Sequence, residues 1–260
     1  MHRIIVFLHN HRLILIILLL AVFFRTYEVI TRFDFAHDGD LYSWIVKDVV
    51  VDGHLRLIGQ QTTAQGIFIG PLFYYMLIPF FFLTGMDPVG AIIPIVLIGI
   101  ATAVSYYWVF TKLWNKTIGL LASFLYGVLL VPVYFDWRVV PSTPTNLWLI
   151  WYFFTVVKIA RGDYKILPLL GLLIGLIWHI HIALLPALSG AAIAFWVSRK
   201  LPTPKQIGGF LTAGFIPSIP FILFETRHNF SQTLSFIEGF GRDYYGGTGF
   251  DKLSLILIKV

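Results

Sequence analysis

The sequence predicts an all-α protein, a polytopic transmembrane helical bundle with amphipathic interfacial helices in its first outer loop. Hydrophobic residues make up 58% of the chain and charged residues only 12%, which is about half the charged fraction of roughly 25% in soluble domains. The mean hydropathy is +0.82. Apolar runs that approach the ~20 residues needed to cross a bilayer recur along the whole chain. These observations argue against a soluble domain.

The absence of cysteine and the positive net charge exclude further classes. With no cysteine in the chain, disulfides, thiolate catalysis and thiolate metal sites are ruled out. The net charge is +6, but the cations lie in small clusters at the ends of apolar runs, where they set the orientation of a membrane protein. Because no basic stripe is present, we expect no nucleic-acid partner.

We expect a single transmembrane domain over the whole chain, with an N-terminal anchor at 13–30, an outer loop at 31–86 and a helical bundle at 87–260. Basic residues precede the first apolar run and no small-residue cleavage site follows it, which predicts an uncleaved anchor with a cytoplasmic N-terminus. The chain stops at Val260, soon after an apolar run begins near Leu253. We therefore expect an N-terminal fragment of a longer protein.

The orientation of the bundle depends on whether the apolar run at 67–84 crosses the membrane. If it crosses, eight cations of later loops face outward, against the positive-inside rule. If it does not cross, all eight face the cytoplasm. Gly70-Pro71, Pro79 and several interfacial aromatics favour a helix lying in the outer interface. The later apolar runs are 87–111, 117–134, 145–157, 166–198 and 206–224, and the eight cations are Lys112, Lys116, Lys158, Arg161, Lys165, Arg199, Lys200 and Lys205.

The run at 166–198 is too long for one span and has basic residues at both ends, so we predict two short helices folded back at His179-Ile180-His181. The turn between them would face outward. Three polar segments then lie outside: residues 25–87, 134–145 and 225–251.

The first outer loop carries two neighbouring acids, Asp38 and Asp40, directly before an amphipathic helix. Its apolar face is Leu41, Tyr42, Ile45, Val46, Val49 and Val50. Two carboxylates at this position suit a general base or a divalent cation site, which would be the only metal site expected. The alternative is a helix cap beside a solvated acid.

The second outer loop carries Asp136 and Arg138 at a helix end that borders the membrane. Arg suits bidentate contact with a phosphate and Asp suits a hydroxyl. The alternative is a local ion pair at the interface, with Trp137 as a belt residue.

The histidines His179 and His181 lie two residues apart, so on a helix they point to nearly opposite sides. They could share a metal only in an extended turn. We consider two other roles, a structural one and a single polar contact to a substrate or lipid headgroup.

Several segments in a fixed order carry a family resemblance. They are HDGDLYSW at 37–44, Gly53 with Leu57-Ile58-Gly59, GPLFYYMLIPFF at 70–81, KLWNK at 112–116 and DWRVVPSTPTN at 136–146. Over roughly residues 25–190, the chain resembles the polyprenyl-phosphate-dependent glycosyltransferases of the C-type membrane fold. The nearest group is family 39, which includes protein O-mannosyltransferases and the aminoarabinose transferase of lipid A.

The resemblance implies a transferase that moves a sugar, with inversion, from a polyprenyl phosphate to an acceptor hydroxyl or amine. The acceptor would be a lipid, a glycan or a protein, and the reaction would take place on the outer side of the plasma membrane. Asp38 is then the catalytic base, with Asp40 as the alternative, and no cofactor beyond a possible divalent cation is required. The predicted substrate-binding residues are Asp136, Arg138, His179 and Tyr74, of which the resemblance itself implies Asp136. The lipid tail would lie along 67–84.

The main alternative is a non-catalytic transporter or lipid-handling subunit. A transporter would place ionisable residues in mid-membrane, often within broken helices of paired repeats. Nearly all the acids here fall in predicted loops, which favours chemistry at the membrane surface. A degenerate homologue that keeps the fold without activity is the third possibility.

The charge distribution predicts the accessibility of the loops in intact cells. Cysteines introduced as Asn115→Cys and Arg161→Cys should be protected from an impermeant thiol reagent, whereas Thr143→Cys should react. The opposite labelling pattern would show that 67–84 crosses the membrane.

Overall fold

The computed structural model describes residues 2–33, 35, 37–62 and 65–239, and the regular elements within them are all helical. The predicted all-α class is therefore confirmed for this part of the chain. The expected apolar run from Leu253 and the end of the third outer loop lie outside it. The α-helices are α1 His2–Thr26, α2 His37–Val50, α3 Leu72–Leu83, α4 Ile92–Leu113, α5 Lys116–Val128, α6 Leu130–Asp136, α7 Thr145–Ala160, α8 Leu167–Ile180, α9 Leu188–Ser198, α10 Pro204–Arg227 and α11 Ser231–Gly239.

Two helical segments of the described chain are long and apolar enough to cross a membrane, Pro88–Leu113 and Pro204–Arg227. The first joins a short 3₁₀ turn at Pro88–Ala91 to α4. A third span results if α5 and α6, which bend by 62° at their junction, count as one. The anchor predicted at 13–30 is shifted, because α1 begins at His2 and ends at Thr26.

The apolar runs at 67–84 and 166–198, whose crossing of the membrane was in question, both form short helices. In the run at 67–84, α3 has only 12 residues, too few for the ~20 of a straight span. The run at 166–198 breaks at His181, whose backbone is extended, with φ −168° and ψ 130°. The predicted division into two helices is thus confirmed, with a 3₁₀ turn at Ile182–Ala187 between them. The outward direction of the turn stays a prediction.

The apolar run at 117–134 is not one helix, because α5 ends at Val128 and the chain turns through the extended Leu129. Pro132 explains the break. It has no N–H to donate to Val128, and its ring would clash with that carbonyl in a continuous helix. As the third residue of α6, a position whose N–H has no partner within the helix, Pro132 is tolerated.

Arg25 of α1 bonds to the α5 carbonyls that this break leaves without partners in the helix. Its guanidinium donates to the backbone oxygens of Tyr126 at 3.2 Å and Gly127 at 3.0 Å, two of the last carbonyls of α5. It also donates to Ala21 O, one turn back in α1. Because the terminal carbonyls of a helix lack partners within it, a cation placed here caps α5.

Asp136, the last residue of α6, neutralises this arginine. Oδ2 of Asp136 lies 2.8 Å from Nε of Arg25 and 2.7 Å from its second terminal nitrogen. The Tyr126 hydroxyl donates to the same carboxylate. Both charged side chains are buried, with 0% and 1% of their surface exposed. A Cβ added at Gly99 of α4 would lie 2.6 Å from Nε of Arg25, so the absence of a side chain there makes room for the pair.

The predicted apolar face of α2 packs against α3. Tyr42, Ile45 and Val46 are buried there among Phe73, Tyr74, Leu77 and Phe81 of α3. The edge-on rings of Tyr42 and Phe73 lie 6.2 Å apart. This packing fixes the position of the N-terminal turn of α2, where Asp38 lies. Leu41 and Val50 also contact this cluster, in agreement with the predicted helical periodicity.

Loss of one partner of the buried pair should destabilise the protein strongly. Asp136→Asn should lower the free energy of unfolding by about 3–5 kcal/mol, because it leaves the guanidinium buried and uncompensated. The matched control is Glu28→Gln, since Glu28 pairs with Arg32 at 3.2 Å while 51% exposed. That change should cost about 0–1 kcal/mol. Denaturant titration of the purified protein in detergent measures both, and equal losses would contradict the role given to Asp136.

Candidate active site

A cavity of about 390 Å³ lies where the start of α2 meets the segment that follows α6. Polar side chains from both parts line it, together with the backbone at Gly39 and Val139. The polar side chains of the lining include Arg32, Asp38, Tyr42, Trp137 and Arg138. Asp38 and Arg138 are two of the residues singled out in the sequence, and the fold brings them to one cavity across 100 positions of the chain.

Two different sets of contacts position the two sides of the cavity. Asp38 lies in the first turn of α2, which the packing on α3 holds. Arg138 comes two residues after Asp136, which the buried ion pair holds. The Thr143 hydroxyl then donates to Arg138 O at 2.6 Å and closes the turn.

The structure also bears on the labelling of the second outer loop. Because Thr143 is buried, Tyr134, which is 57% exposed, is the more accessible position for thiol labelling of this segment.

The charges of the lining suit an anion beside a base. The Arg138 side chain has no carboxylate within ion-pair distance among the residues that the structure describes. Arg32 forms an ion pair with the exposed Glu28, and the Arg32 guanidinium lies 4.9 Å from the ring centroid of Trp137. One carboxylate and two guanidiniums therefore border the same space. Arginine is well suited to bidentate contact with a phosphate.

Two buried polar atoms of the lining have no hydrogen-bond partner within the described chain. They are the hydroxyl oxygen of Tyr42 and Nε1 of Trp137. Burial raises the pKa of Tyr42 above its ordinary value, and the negative charge of Asp38 raises it further. The phenol therefore stays protonated and is able to donate. Buried polar groups in proteins are nearly always paired, so two unpaired groups beside one cavity point to a ligand.

The other predicted site residues lie outside this lining. Asp40 is exposed on α2, and Asp136 is buried in its ion pair. The hydroxyl of Tyr74 donates to the side chain of Gln60 and accepts from its backbone N–H. Burial raises the pKa of Tyr74 to about 12. In α8, Nε2 of His179 donates to Pro217 O at 2.7 Å.

The two histidines do not act together in this arrangement. Nδ1 of His179 accepts from Leu72 N, whereas Nδ1 of His181 accepts from Ala183 N, two residues along the chain. Across the part of the chain that the structure describes, no three His, Asp or Glu side chains form a group able to hold a metal ion. Within the described residues, Asp38 and Asp40 therefore belong to no such group.

Sequence reasoning missed four residues that shape this site, Arg25, Arg32, Tyr42 as a donor, and Trp137. The apolar face of α2 includes Tyr42, so its hydroxyl was counted with the core. Arg25 directly follows the first apolar run, at the start of the polar segment 25–87, and nothing nearby in the sequence indicates its partner. The sequence signal at Arg25 is a cation beside a long apolar run, since charged side chains in membrane helices usually pair with another charge or a backbone carbonyl.

Comparisons with known proteins add no relative. No family model matches the chain, and neither the curated proteins nor the solved structures contain a significant match.

A hydroxyl that is present for a ligand should be dispensable for folding. Tyr42→Phe should leave the free energy of unfolding unchanged or raise it by up to about 1–2 kcal/mol, because an unpaired buried hydroxyl carries a desolvation cost. The same change at Tyr126, whose hydroxyl donates to Asp136, should cost about 1.5–3 kcal/mol. Parallel denaturation curves measure the difference. A Tyr42→Phe loss as large as that of Tyr126→Phe would give the Tyr42 hydroxyl a structural role.

Proposed function

We propose that this protein is a membrane glycosyltransferase that moves a sugar from a polyprenyl phosphate to an acceptor hydroxyl or amine. The observation that carries the proposal is the meeting of Asp38 with Arg32 and Arg138 at one cavity. The reaction needs a proton acceptor and, close to it, cations for a departing phosphate. The motif resemblance points to the same reaction class, independently of the cavity.

In the proposed reaction, Asp38 takes the proton from the acceptor as its oxygen or nitrogen attacks the anomeric carbon. The new bond forms on the face opposite the phosphate, so the configuration inverts. The bond between the anomeric carbon and the phosphate oxygen breaks, and its electron pair leaves with the polyprenyl phosphate. Arg138 and Arg32 offset the charge that develops on that oxygen.

The unpaired donors have a place in this proposal. The Tyr42 hydroxyl is close to Gly39, because a Cβ added at Gly39 would lie 3.5 Å from the hydroxyl oxygen. It is therefore close to the turn that carries Asp38 and can orient an acceptor or a sugar hydroxyl. Trp137 Nε1 lies beside Arg138 in sequence and can bond to a phosphate oxygen. Neither role requires a metal.

The location is part of the same proposal. We infer a multi-pass protein of the plasma membrane with a cytoplasmic N-terminus and an outward-facing cavity. The two or three helices that are long and apolar enough to cross a membrane support the membrane location. The positive-inside distribution of the loop cations supports the orientation.

The buried acids do not favour a transporter. Asp136 is neutralised by Arg25 and held by Tyr126. Glu225, the other buried acid of the described chain, accepts from the backbone N–H groups of Gln232 and Thr233 and so caps α11. Both carboxylates are occupied by fixed structural partners, whereas a transport pathway needs ionisable groups that exchange partners.

Replacement of the proposed base should remove turnover while leaving donor binding intact. Asp38→Asn should lower the rate of polyprenyl phosphate release from a sugar-charged lipid by about 10²- to 10⁴-fold, as expected for the loss of a general base. The matched control is Asp40→Asn, on the same turn but outside the cavity lining, which should stay within about threefold of the wild-type rate. The assay uses purified protein in detergent with an acceptor mixture.

The two variants separate the possible outcomes. If Asp40→Asn is inactive and Asp38→Asn is active, the base is Asp40. If both variants keep the rate of an active wild-type protein, neither carboxylate is the base, and the proposed mechanism is wrong.

A further inference from the structure

A second, uncharged site lies on the other side of the fold, between α8 and α10. The two helices are in backbone contact there, because both carry glycine at the crossing. A Cβ added at Gly171 would lie 2.1 Å from Phe210 O, and one added at Gly175 would lie 2.5 Å from Gly214 O. Close approach through small residues is typical of helix pairs in membranes.

An apolar groove runs along this helix pair. Its larger part has a volume of about 470 Å³ and lies between α8 and α10. A smaller part of about 180 Å³ reaches α11. Both parts are lined by Trp178, Ile182, Leu185 and Phe221, so they form one groove. Volumes of this size are in the range of small-molecule sites.

Two side chains that line the groove, Trp178 and Gln232, carry unpaired N–H donors. Nε1 of Trp178 and Nε2 of Gln232 are buried without a hydrogen-bond partner within the described chain. Gln232 is only 2% exposed, and its Oε1 accepts from Phe68 N at 2.8 Å. That bond fixes the amide, so its NH₂ group is the free end. An unpaired amide this deeply buried is costly unless a ligand accepts from it.

The charge of the lining determines which ligand fits. No charged side chain lines either part of the groove in the described chain, so a phosphate there would have no cation to pair with. A neutral acceptor such as an ester carbonyl matches two N–H donors. The apolar remainder matches a hydrocarbon chain.

We propose that this groove binds one acyl chain of a glycerolipid, whose ester carbonyl accepts hydrogen bonds from Trp178 and Gln232. The groove lies along one face of α10, one of the two long apolar helices, and Leu211 and Phe215 of its lining are 59% and 57% exposed. In a membrane that face contacts lipid, so a chain can enter sideways from the bilayer. The site is separate from the charged cavity and does not depend on the proposed transferase activity.

Photo-crosslinking tests the site on the full chain in bilayer nanodiscs. The probe is a phosphatidylglycerol with a diazirine near the ester end of one acyl chain, and cross-linked peptides are quantified by mass spectrometry. Ile222 lines the groove, whereas Ile219, three residues earlier on α10, does not. Their exposures are similar, 37% and 38%. Ile222→Trp should therefore fill the groove and reduce labelling of α8 and α11 at least fivefold, with Ile219→Trp as the unchanged control.

The hydrogen bond is tested separately by Trp178→Phe, which keeps an aromatic ring and removes the donor. Labelling of α11 should fall about two- to tenfold, as expected for one hydrogen bond. The control is Trp151→Phe, because Trp151 donates to Ser105 away from the groove.

The competing occupants give different results. Equal labelling in the Ile222→Trp and Ile219→Trp variants would show that only ordinary bilayer lipid is in contact with α10, and would overturn the proposal. Displacement of the probe by polyprenyl phosphate at equal concentration, but not by unlabelled phosphatidylglycerol, would also overturn it. Loss of transferase activity in the Asp38→Asn variant leaves the labelling result unaffected, so the two proposals can fail separately.

Discussion

The burial of one guanidinium, that of Arg25, is the constraint on which the arrangement of α1, α4, α5 and α6 depends. An arginine in hydrocarbon without a partner costs at least about 2.5–3.5 kcal/mol, so each neighbour must supply an acceptor or room. The carboxylate of Asp136, the two free carbonyls of α5 and the bare backbone at Gly99 meet this need together. The carbonyls are free only because Pro132 interrupts the helix, so the kink and the charge stabilise one another.

The same interaction connects the helical core to the candidate site. The residues immediately after Asp136 are Trp137 and Arg138, which line the charged cavity. A shift of α6 would therefore move a donor and a cation together. The opposite wall is held by apolar contacts between α2 and α3, without any buried charge. A buried ion pair thus fixes the side of the cavity that follows α6, and apolar packing fixes the side formed by α2. Because both charges of the Arg25–Asp136 pair are buried, salt screens that pair far less than it would an exposed ion pair.

Local patterns in the sequence were enough to predict several features of the fold. The helical class, the break at His181 and the buried face of α2 all follow from composition, run length and periodicity, which act over a few residues. The roles of Asp136 and Arg138 could not be separated in this way. They lie two residues apart in one loop motif, yet one is buried against Arg25 and the other lines a cavity. That difference arises from a partner 111 positions away, which no short pattern encodes.

The long sequence separation of the buried pair has a consequence for biosynthesis. The ribosome releases Arg25 well before Asp136 exists, and in that interval the guanidinium has no counter-charge. Arg25 lies in the last turn of α1, close enough to the helix end for its side chain to extend into the headgroup region. The buried contact between α1 and α6 can therefore form only after α6 has been synthesised. The helix that is synthesised first, α1, is thus among the last to complete its packing.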